Sequence, residues 1–147
     1  MSATKAWAAT GPTAPLAPFE MVRRELAEDD VGIAISWAGI CHSDIHQARG
    51  EWGGSSYPMV PGHEIGGLVT KVGAKVTTLK VGDSVGVGCM VDSCRSCKNC
   101  ALGDENYCFE GSVFTYNGKH KFKHCAEYND DGGSATQGGY SQYIVVN

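Results

Sequence analysis

The sequence predicts a mainly β fold, a small closed or partly closed β-barrel that carries an irregular, cysteine-rich lobe. Glycine makes up 20 of the 147 residues, about 14% and roughly twice its average usage, and no repeat accounts for it. The glycines interrupt short apolar, β-branched runs, a pattern typical of strands separated by tight turns and bulges. Four cysteines lie within the fifteen residues 94–108, in a stretch too small and polar to form its own core.

The first forty residues are predicted to contain three strands. Residues 3–9 predict the first strand. The three prolines of 11–19 (GPTAPLAPF) then predict an extended connection, because proline disrupts a helix interior. Residues 19–26 and 30–40 predict two further strands, which flank the acidic turn 27–30 (AEDD).

The middle of the chain is predicted to hold one helix and several strands. Residues 41–50 (CHSDIHQARG) predict a single short helical segment, and Gly50 is a suitable C-terminal stop because glycine tolerates the left-handed conformation. The run 64–89 predicts three strand-like pieces, broken at 72–74 and 81–83.

The last part of the chain combines irregular and extended segments. The cysteine lobe occupies 89–108, residues 116–139 are polar and loop-like, and 140–146 (YSQYIVV) predict a closing strand. The polar segment contains three potential metal ligands, His120, His124 and Cys125. Because lysines alternate with these histidines and would repel a cation, we interpret the segment as a solvated loop.

Length and charge exclude several classes of function. A chain of 147 residues fits one domain with a real core. The net charge of −4 and the absence of a Lys/Arg stripe argue against nucleic acid as a partner. No apolar run approaches the ~20 residues of a membrane span. The N-terminus lacks the build of a secretory signal, so we expect a cytoplasmic protein, in which disulfides are rare.

The cysteine lobe has the spacing C-x2-C-x2-C-x7-C, with its cysteines at Cys94, Cys97, Cys100 and Cys108. Disulfides are disfavoured by the expected compartment and by the total of seven cysteines. A ferredoxin-type iron–sulfur run continues x3-C-P and usually has a second set, neither of which is present. Zinc with four thiolates fits best, and such a site is structural because it leaves no open coordination position.

A second group of potential ligands lies upstream, in the segments GICHSDIH and VPGHE. Cys41 and His63 are residue types found in mixed zinc sites, and Glu64 is a further possible ligand. A cysteine and a histidine twenty-two residues apart are usually unrelated, so the pair alone is a weak signal.

The residues around Cys41 strengthen that signal. Asp44 could accept the second ring N–H of a metal-bound His63, and Ser43 and His46 could pass a proton from a metal-bound alcohol to water. The alternative for Ser43 and Asp44 is capping of a helix N-terminus, which is about equally probable on local evidence.

The chain contains the motifs GICHSDIH, PGHE, GDxVGVG, CxxCxxCx7C and GGYSQ. In this combination it resembles the zinc-dependent medium-chain alcohol dehydrogenases. Within them it most resembles the branch of cinnamyl alcohol dehydrogenases and bacterial aldehyde reductases, and the resemblance covers almost the whole chain. It implies that residues 1–147 form a GroES-like catalytic domain, a distorted β-barrel with short helices and two zinc sites.

The resemblance also implies roles for individual residues. Cys41 and His63 would ligate the catalytic zinc, with Glu64 as an adjacent carboxylate that can replace water or substrate. The four lobe cysteines would hold the structural zinc. The expected proton relay and its supporting acid are Ser43, His46 and Asp44. The expected substrate-pocket residues are Gln47, Glu51, Trp52, Cys89 and Phe114. For Trp52 and Phe114, ordinary core packing is a competing interpretation.

The resemblance is incomplete in two respects. The segment 118–136 does not follow the usual proline-containing loop of this branch. The chain also stops at Asn147, where the family enters its nucleotide-binding domain. GVGCMV lacks the third glycine of a dinucleotide fingerprint, so no coenzyme-binding residue is predicted. We expect the missing domain C-terminally, together with the family's third protein ligand to the catalytic zinc, a cysteine. The full enzyme would transfer hydride between a small primary alcohol or aldehyde and NADP(H). Residues 1–147 alone would then be inactive and would retain the catalytic zinc less firmly than the structural one.

Two other functions remain as alternatives. A stand-alone zinc-binding GroES-like interaction module has no need of Ser43, His46 and the Cys41–His63 pair together. An iron–sulfur electron carrier would be coloured when purified.

Overall fold

The computed structural model describes residues 2–119, 121–122 and 135–147. The loop residues His120, His124 and Cys125 lie outside this part of the chain. The described elements are strands β1 Ser2–Ala8, β2 Ala17–Arg23, β3 Val31–Ala38, β4 Ile65–Val72, β5 Ser84–Val87, β6 Met90–Asp92, β7 Val113–Phe114 and β8 Tyr143–Val146, and helices α1 His42–Ala48 and α2 Lys98–Ala101. A 3-10 turn covers Glu105–Tyr107. None of the described helices is long and apolar enough to cross a lipid bilayer.

The strands form three antiparallel sheets, which confirms a mainly β, partly closed barrel. The largest has the order β5-β4-β3-β8, while β1 pairs with β2 and β6 pairs with β7. Register shifts interrupt the β3–β4 pairing between Gly32 and Ile33 and between Ile35 and Trp37. Irregularities of this kind increase local twist, so the sheet curves around the core.

Two buried apolar clusters stabilise these sheets. The main sheet buries Val31, Ile33, Ile65, Val69 and Ile144, and the β1–β2 pair buries Ala6, Ala8, Met21 and Val60. A fully buried valine or isoleucine contributes about 1.5–3 kcal/mol, so these few side chains supply much of the drive to fold.

The C-terminal segment connects the two groups of strands. β8 pairs with β3 from Val31 to Ala34. The chain just before β8 turns to β1, where Trp7 N–H donates to the Tyr140 carbonyl and Gln142 N–H donates to the Lys5 carbonyl. One short stretch of chain therefore contacts both the main sheet and the β1–β2 pair.

One predicted strand is absent from the structure. Residues 73–83 form turns and loop between β4 and β5, so the middle piece of the run 64–89 is not a strand. Its backbone bonds go elsewhere: Lys75 N–H donates to the Glu28 carbonyl, and Val76 and Leu79 pack against the main core from the loop. The apolar residues that suggested a strand are thus buried without a neighbouring strand.

Candidate functional site

The mixed ligand group is assembled where α1 meets the loop before β4. Cys41 is the residue that precedes the first turn of α1, with extended backbone at φ −106° and ψ 153°. His63 and Glu64 end the loop that leads into β4. Three potential ligand atoms lie within 4.8 Å of one another: Sγ of Cys41, a ring nitrogen of His63 and a carboxylate oxygen of Glu64. Residues that are twenty-two positions apart in sequence therefore meet around one point.

The donor chemistry of this group fits a zinc ion. Thiolate, imidazole and carboxylate bind zinc at about 2.0–2.3 Å, which puts neighbouring ligand atoms of a tetrahedral site roughly 3.3–3.8 Å apart. The observed limit of 4.8 Å needs only a small inward movement of the side chains. His63 is buried and Cys41 half-buried, whereas Glu64 is exposed, so one side of the group faces solvent.

Asp44 lies behind this group and contacts it through several bonds. It is 3% exposed, and its Oδ1 lies 3.4 Å from Nδ1 of His63, which leaves Nε2 of the ring for the ligand group. Its Oδ2 also accepts the Cys41 backbone N–H at 2.9 Å, a reciprocal capping arrangement at the start of α1. The two interpretations of Asp44, helix cap and support for His63, are therefore both satisfied by one carboxylate.

The predicted relay residues lie on one side of α1. Ser43 Oγ donates to Cys41 Sγ at 3.2 Å. His46, three residues further along and hence on the same helix face, contacts Glu51 through Nδ1. The His46 ring stacks between His42 and Trp52, at centroid distances of 5.4 and 5.1 Å. Glu51, which we predicted as a pocket residue, is thus the charged partner of His46.

The remaining predicted pocket residues lie near this helix or on the lobe. Gln47 Nε2 donates to Ser55 Oγ at 2.7 Å, so it fixes the loop that carries Trp52. Trp52 is 61% and Phe114 is 58% exposed, which excludes core packing for both. Cys89 is exposed as well.

A separate groove has a volume of about 760 Å³. It runs between the β1–β2 pair and β3, and its lining includes Trp7, Phe19 and Trp37 together with Tyr140. The predicted pocket residues do not contribute to its lining in the part of the chain that the structure describes.

The four lobe cysteines converge on a second point. Their sulfur atoms all lie within 4.8 Å of one another, with Cys94–Cys100 at 3.8 Å and Cys97–Cys100 at 3.4 Å. A tetrahedral zinc–thiolate site requires sulfurs about 3.8 Å apart, so the cluster fits zinc closely. All four ligand positions are filled by protein, which agrees with a scaffolding role.

Without a metal, the thiols of the lobe have unequal pKa values. The backbone N–H groups of Ser96 and Cys97 lower the pKa of Cys94 to about 6. At Cys100 the Ser93 hydroxyl lowers the pKa, but desolvation and the neighbouring Cys97 outweigh it and raise the pKa to about 11. Because these thiols share a few ångströms of space, ionising one opposes ionising the next until a cation is present.

Two tyrosines near the mixed group were not predicted as site residues. Tyr140 donates its hydroxyl to Asp44 Oδ2 at 3.1 Å, and the Tyr116 ring stacks on His63 at a centroid distance of 5.7 Å. Burial, followed by the charge of Asp44, raises the pKa of both phenols, so both remain neutral donors. Tyr140 belongs to the GGYSQ motif, whereas nothing in the sequence around Tyr116 points to the site.

Comparison with known proteins identifies the family of this chain. Residues 27–147 match the family model described as the alcohol dehydrogenase GroES-like domain. The NADP-dependent alcohol dehydrogenase C of Mycobacterium tuberculosis is 51% identical over 146 residues, which cover 99% of this chain and 39% of that protein.

Solved structures give the same result for the fold. A cinnamyl alcohol dehydrogenase from Sorghum bicolor superimposes with a TM-score of 0.88 and 42% identity, covering 99% of this chain and 39% of the other. The cinnamyl alcohol dehydrogenase of Helicobacter pylori, solved with NADP(H), gives 0.87 and 41%, covering 98% and 39%. The chain thus spans about two-fifths of the length of these relatives, and over that span it belongs to the alcohol dehydrogenase GroES-like domain family.

Proposed function

We propose that residues 1–147 form the GroES-like catalytic domain of a zinc-dependent alcohol dehydrogenase or aldehyde reductase. The proposed reaction is hydride transfer between a small primary alcohol or aldehyde and NADP(H). The observation that carries the proposal is the meeting of Cys41, His63 and Glu64 within 4.8 Å, next to Ser43 and His46. The similarity to NADP-dependent alcohol dehydrogenases supports the reaction class and the coenzyme.

In this proposal the mixed group holds a catalytic zinc and the four lobe cysteines hold a structural one. A bound zinc would supply Lewis acidity toward the substrate oxygen. Cys41 and His63 are the ligands that this chain provides, and Glu64 offers an oxygen that can yield to substrate. A further cysteine ligand is expected from the part of the full-length protein outside residues 1–147.

The chain's own residues would then move the proton. The Ser43 hydroxyl is close to the ligand group, since it contacts Cys41 Sγ, and it can accept a proton from the substrate alcohol. His46 receives that proton further along α1, and Glu51 stabilises the resulting imidazolium by its direct contact with Nδ1. Because His46 and Glu51 are partly exposed, the proton can continue to bulk water.

The substrate pocket is expected on the exposed side of this helix. Trp52 presents an open aromatic face beside His46, and an aromatic alcohol or aldehyde could stack on it. Gln47, Cys89 and Phe114 are the further proposed pocket residues. The coenzyme would bind mainly to the nucleotide-binding domain, which we expect C-terminal to Asn147.

The proposal is tested by comparing residues 1–147 with the same chain extended through its coenzyme domain. We expect NADPH oxidation with an aromatic aldehyde only from the extended protein, and Cys41→Ser should reduce it by at least about 100-fold. Glu110→Gln, a change of an exposed residue just after the cysteine lobe, is the control. Turnover by residues 1–147 alone, or an extended protein indifferent to Cys41→Ser, would contradict the proposal. An inert extended protein that still binds zinc would favour the interaction module.

A further inference from the structure

The carboxylate of Asp44 accepts three hydrogen bonds and also faces the ring of His63 and the phenol of Tyr116. Oδ1 accepts the Gly62 N–H at 3.0 Å and faces His63 Nδ1 at 3.4 Å, while Oδ2 accepts the Cys41 N–H at 2.9 Å and the Tyr140 hydroxyl at 3.1 Å. A carboxylate has about four lone-pair directions, so the three hydrogen bonds and the His63 contact use most of its accepting capacity. Removing any one of them leaves a buried carboxylate incompletely bonded and free to tilt.

Of the three groups that donate a hydrogen bond to Asp44, Tyr140 is the most distant from it in the sequence. It lies 96 positions after Asp44, whereas Cys41 precedes Asp44 by only three residues. The backbone around it is firmly held: Tyr140 N–H donates to the Pro61 carbonyl, Gly139 N–H to the Gly62 carbonyl, and the Tyr140 carbonyl accepts from Trp7. The phenol is therefore a fixed donor.

The same tyrosine also packs on the loop that carries His63. A side-chain carbon placed on Gly62 would lie 2.7 Å from Cδ1 and 2.9 Å from the backbone nitrogen of Tyr140. Gly62 in turn donates its N–H to Asp44. Tyr140 thus constrains both the carboxylate and the loop whose next residue is the metal ligand.

We propose that Tyr140 is a positioning residue of the mixed Cys41–His63–Glu64 group and that it acts through Asp44. Its hydroxyl holds the carboxylate in the orientation that keeps the His63 ring aimed at the metal. The inference rests on the proposed function for the identity of this group as a metal site, whereas the orientation of the His63 ring is testable without a metal. A residue that only stabilised the fold would make the same contacts. Its structural role and its positioning role must therefore be separated by experiment.

The first test measures metal affinity in residues 1–147. One equivalent of zinc fills the four-cysteine site, cobalt(II) is then titrated, and its thiolate absorption reports the second site, with Cys41→Ser as the blank. We expect Tyr140→Phe to weaken cobalt binding about tenfold, as is typical of residues that orient metal ligands. Tyr107→Phe, a change of a 68% exposed tyrosine, should leave the affinity unchanged. An unchanged affinity in Tyr140→Phe would overturn the inference.

A double-mutant cycle then asks whether Tyr140 acts through Asp44. Asp44→Asn should weaken binding by about 10–100-fold, and adding Tyr140→Phe to it should cause no further loss, because the phenol has lost its target. If Tyr140→Phe costs the same factor in both backgrounds, its role is structural and the inference is wrong. Circular dichroism of each variant verifies that it is folded.

A metal-independent readout covers the cases in which the wild-type chain binds no second metal or Asp44→Asn does not fold. Long-range proton–nitrogen spectra of the metal-free chain report which ring nitrogen of His63 carries the proton. We expect Nδ1 alone in the wild type and in Tyr107→Phe, and both tautomers in Tyr140→Phe. A wild-type chain that takes up no cobalt while Tyr140→Phe still shifts the tautomer would remove support from the proposed catalytic zinc but support this inference. If Tyr140→Phe does not change the tautomer of His63, this inference is overturned, but the proposed function is not.

Discussion

Glu51 contacts Nδ1 of His46 across the end of α1, so that an imidazole and a carboxylate form a pair at the C-terminal end of the helix that carries Ser43. The histidine is held in place by two flanking rings, and the glutamate follows it by five residues. An imidazole in this setting can take up a proton and keep a counter-charge beside it.

Loss of that counter-charge should slow the proposed reaction. In the protein extended through its coenzyme domain, we expect Glu51→Gln to lower kcat for alcohol oxidation by about tenfold, and His46→Gln by about 100-fold. The reason is that imidazolium formation loses its carboxylate partner in the first variant and is abolished in the second. Steady-state kinetics check this, with Glu110→Gln as the matched control. A Glu51→Gln enzyme with unaltered kcat would exclude Glu51 from the relay.

The thiols of the cysteine lobe should react in a defined order when no metal is bound. At pH 7.5 Cys94, with its pKa lowered to about 6, is mostly thiolate, whereas Cys100, with its pKa raised to about 11, is almost entirely protonated. We expect iodoacetamide to label Cys94 first and Cys100 last, as followed by peptide mass spectrometry. Lowering the pH to 5 should suppress the labelling of Cys94, and zinc should protect all four cysteines. Labelling of Cys100 ahead of Cys94 would contradict the proposed ionisation order.

The four-cysteine site should contribute strongly to stability. Cys100→Ser removes one of four ligands, and we expect a loss of about 4 kcal/mol, or roughly 10 °C in Tm, with one zinc fewer per chain. Cys89→Ser, at an exposed cysteine outside the cluster, should change the free energy of unfolding by less than about 0.5 kcal/mol. Thermal unfolding and elemental analysis measure both effects. Equal stability of the two variants would show that the cluster does not act as a metal scaffold.

The loop before His63 should not tolerate a side chain at Gly62. This glycine has φ +102° and packs on Tyr140, so Gly62→Ala combines backbone strain with overlap. Gly82 is the matched control, since it has φ +94° and open space around it. We expect Gly82→Ala to cost about 1 kcal/mol and Gly62→Ala about 2 kcal/mol more, as measured by denaturant unfolding. If both substitutions cost the same, packing against Tyr140 contributes nothing.

Local patterns in the sequence predicted much of this structure. The strands β1 to β4 and β8, the short helix and its stop at Gly50 follow from apolar runs and turn residues, and the spacing of the cysteines predicted their convergence. These features depend on residues that are close together in the chain. The middle piece of the run 64–89 was wrongly predicted to be a strand, because apolar residues of a loop can be buried against a core as readily as those of a strand.

Contacts between distant segments could not be predicted in the same way. Thr136 and Gln137 belong to a stretch that its polar composition suggested to be a solvated loop, yet both are buried. The Gln137 amide accepts the Val60 N–H at 2.7 Å and donates to the Pro58 carbonyl at 3.2 Å, so it replaces a strand neighbour for that loop. The hydrogen bond from Tyr140 to Asp44 could not be predicted from the sequence either, because no periodicity links residues 96 positions apart.

The stretch from Thr136 to Val146 also sets an order for biosynthesis. It supplies the amide that holds the loop before His63, the phenol that holds Asp44 and the strand that completes the main sheet. Cys41, His63 and Glu64 are all translated before residue 65, yet they remain without this support until residues 136–146 have left the ribosome. A nascent chain halted before Thr136 should therefore already fold its cysteine lobe around zinc while the mixed ligand group is still unsupported.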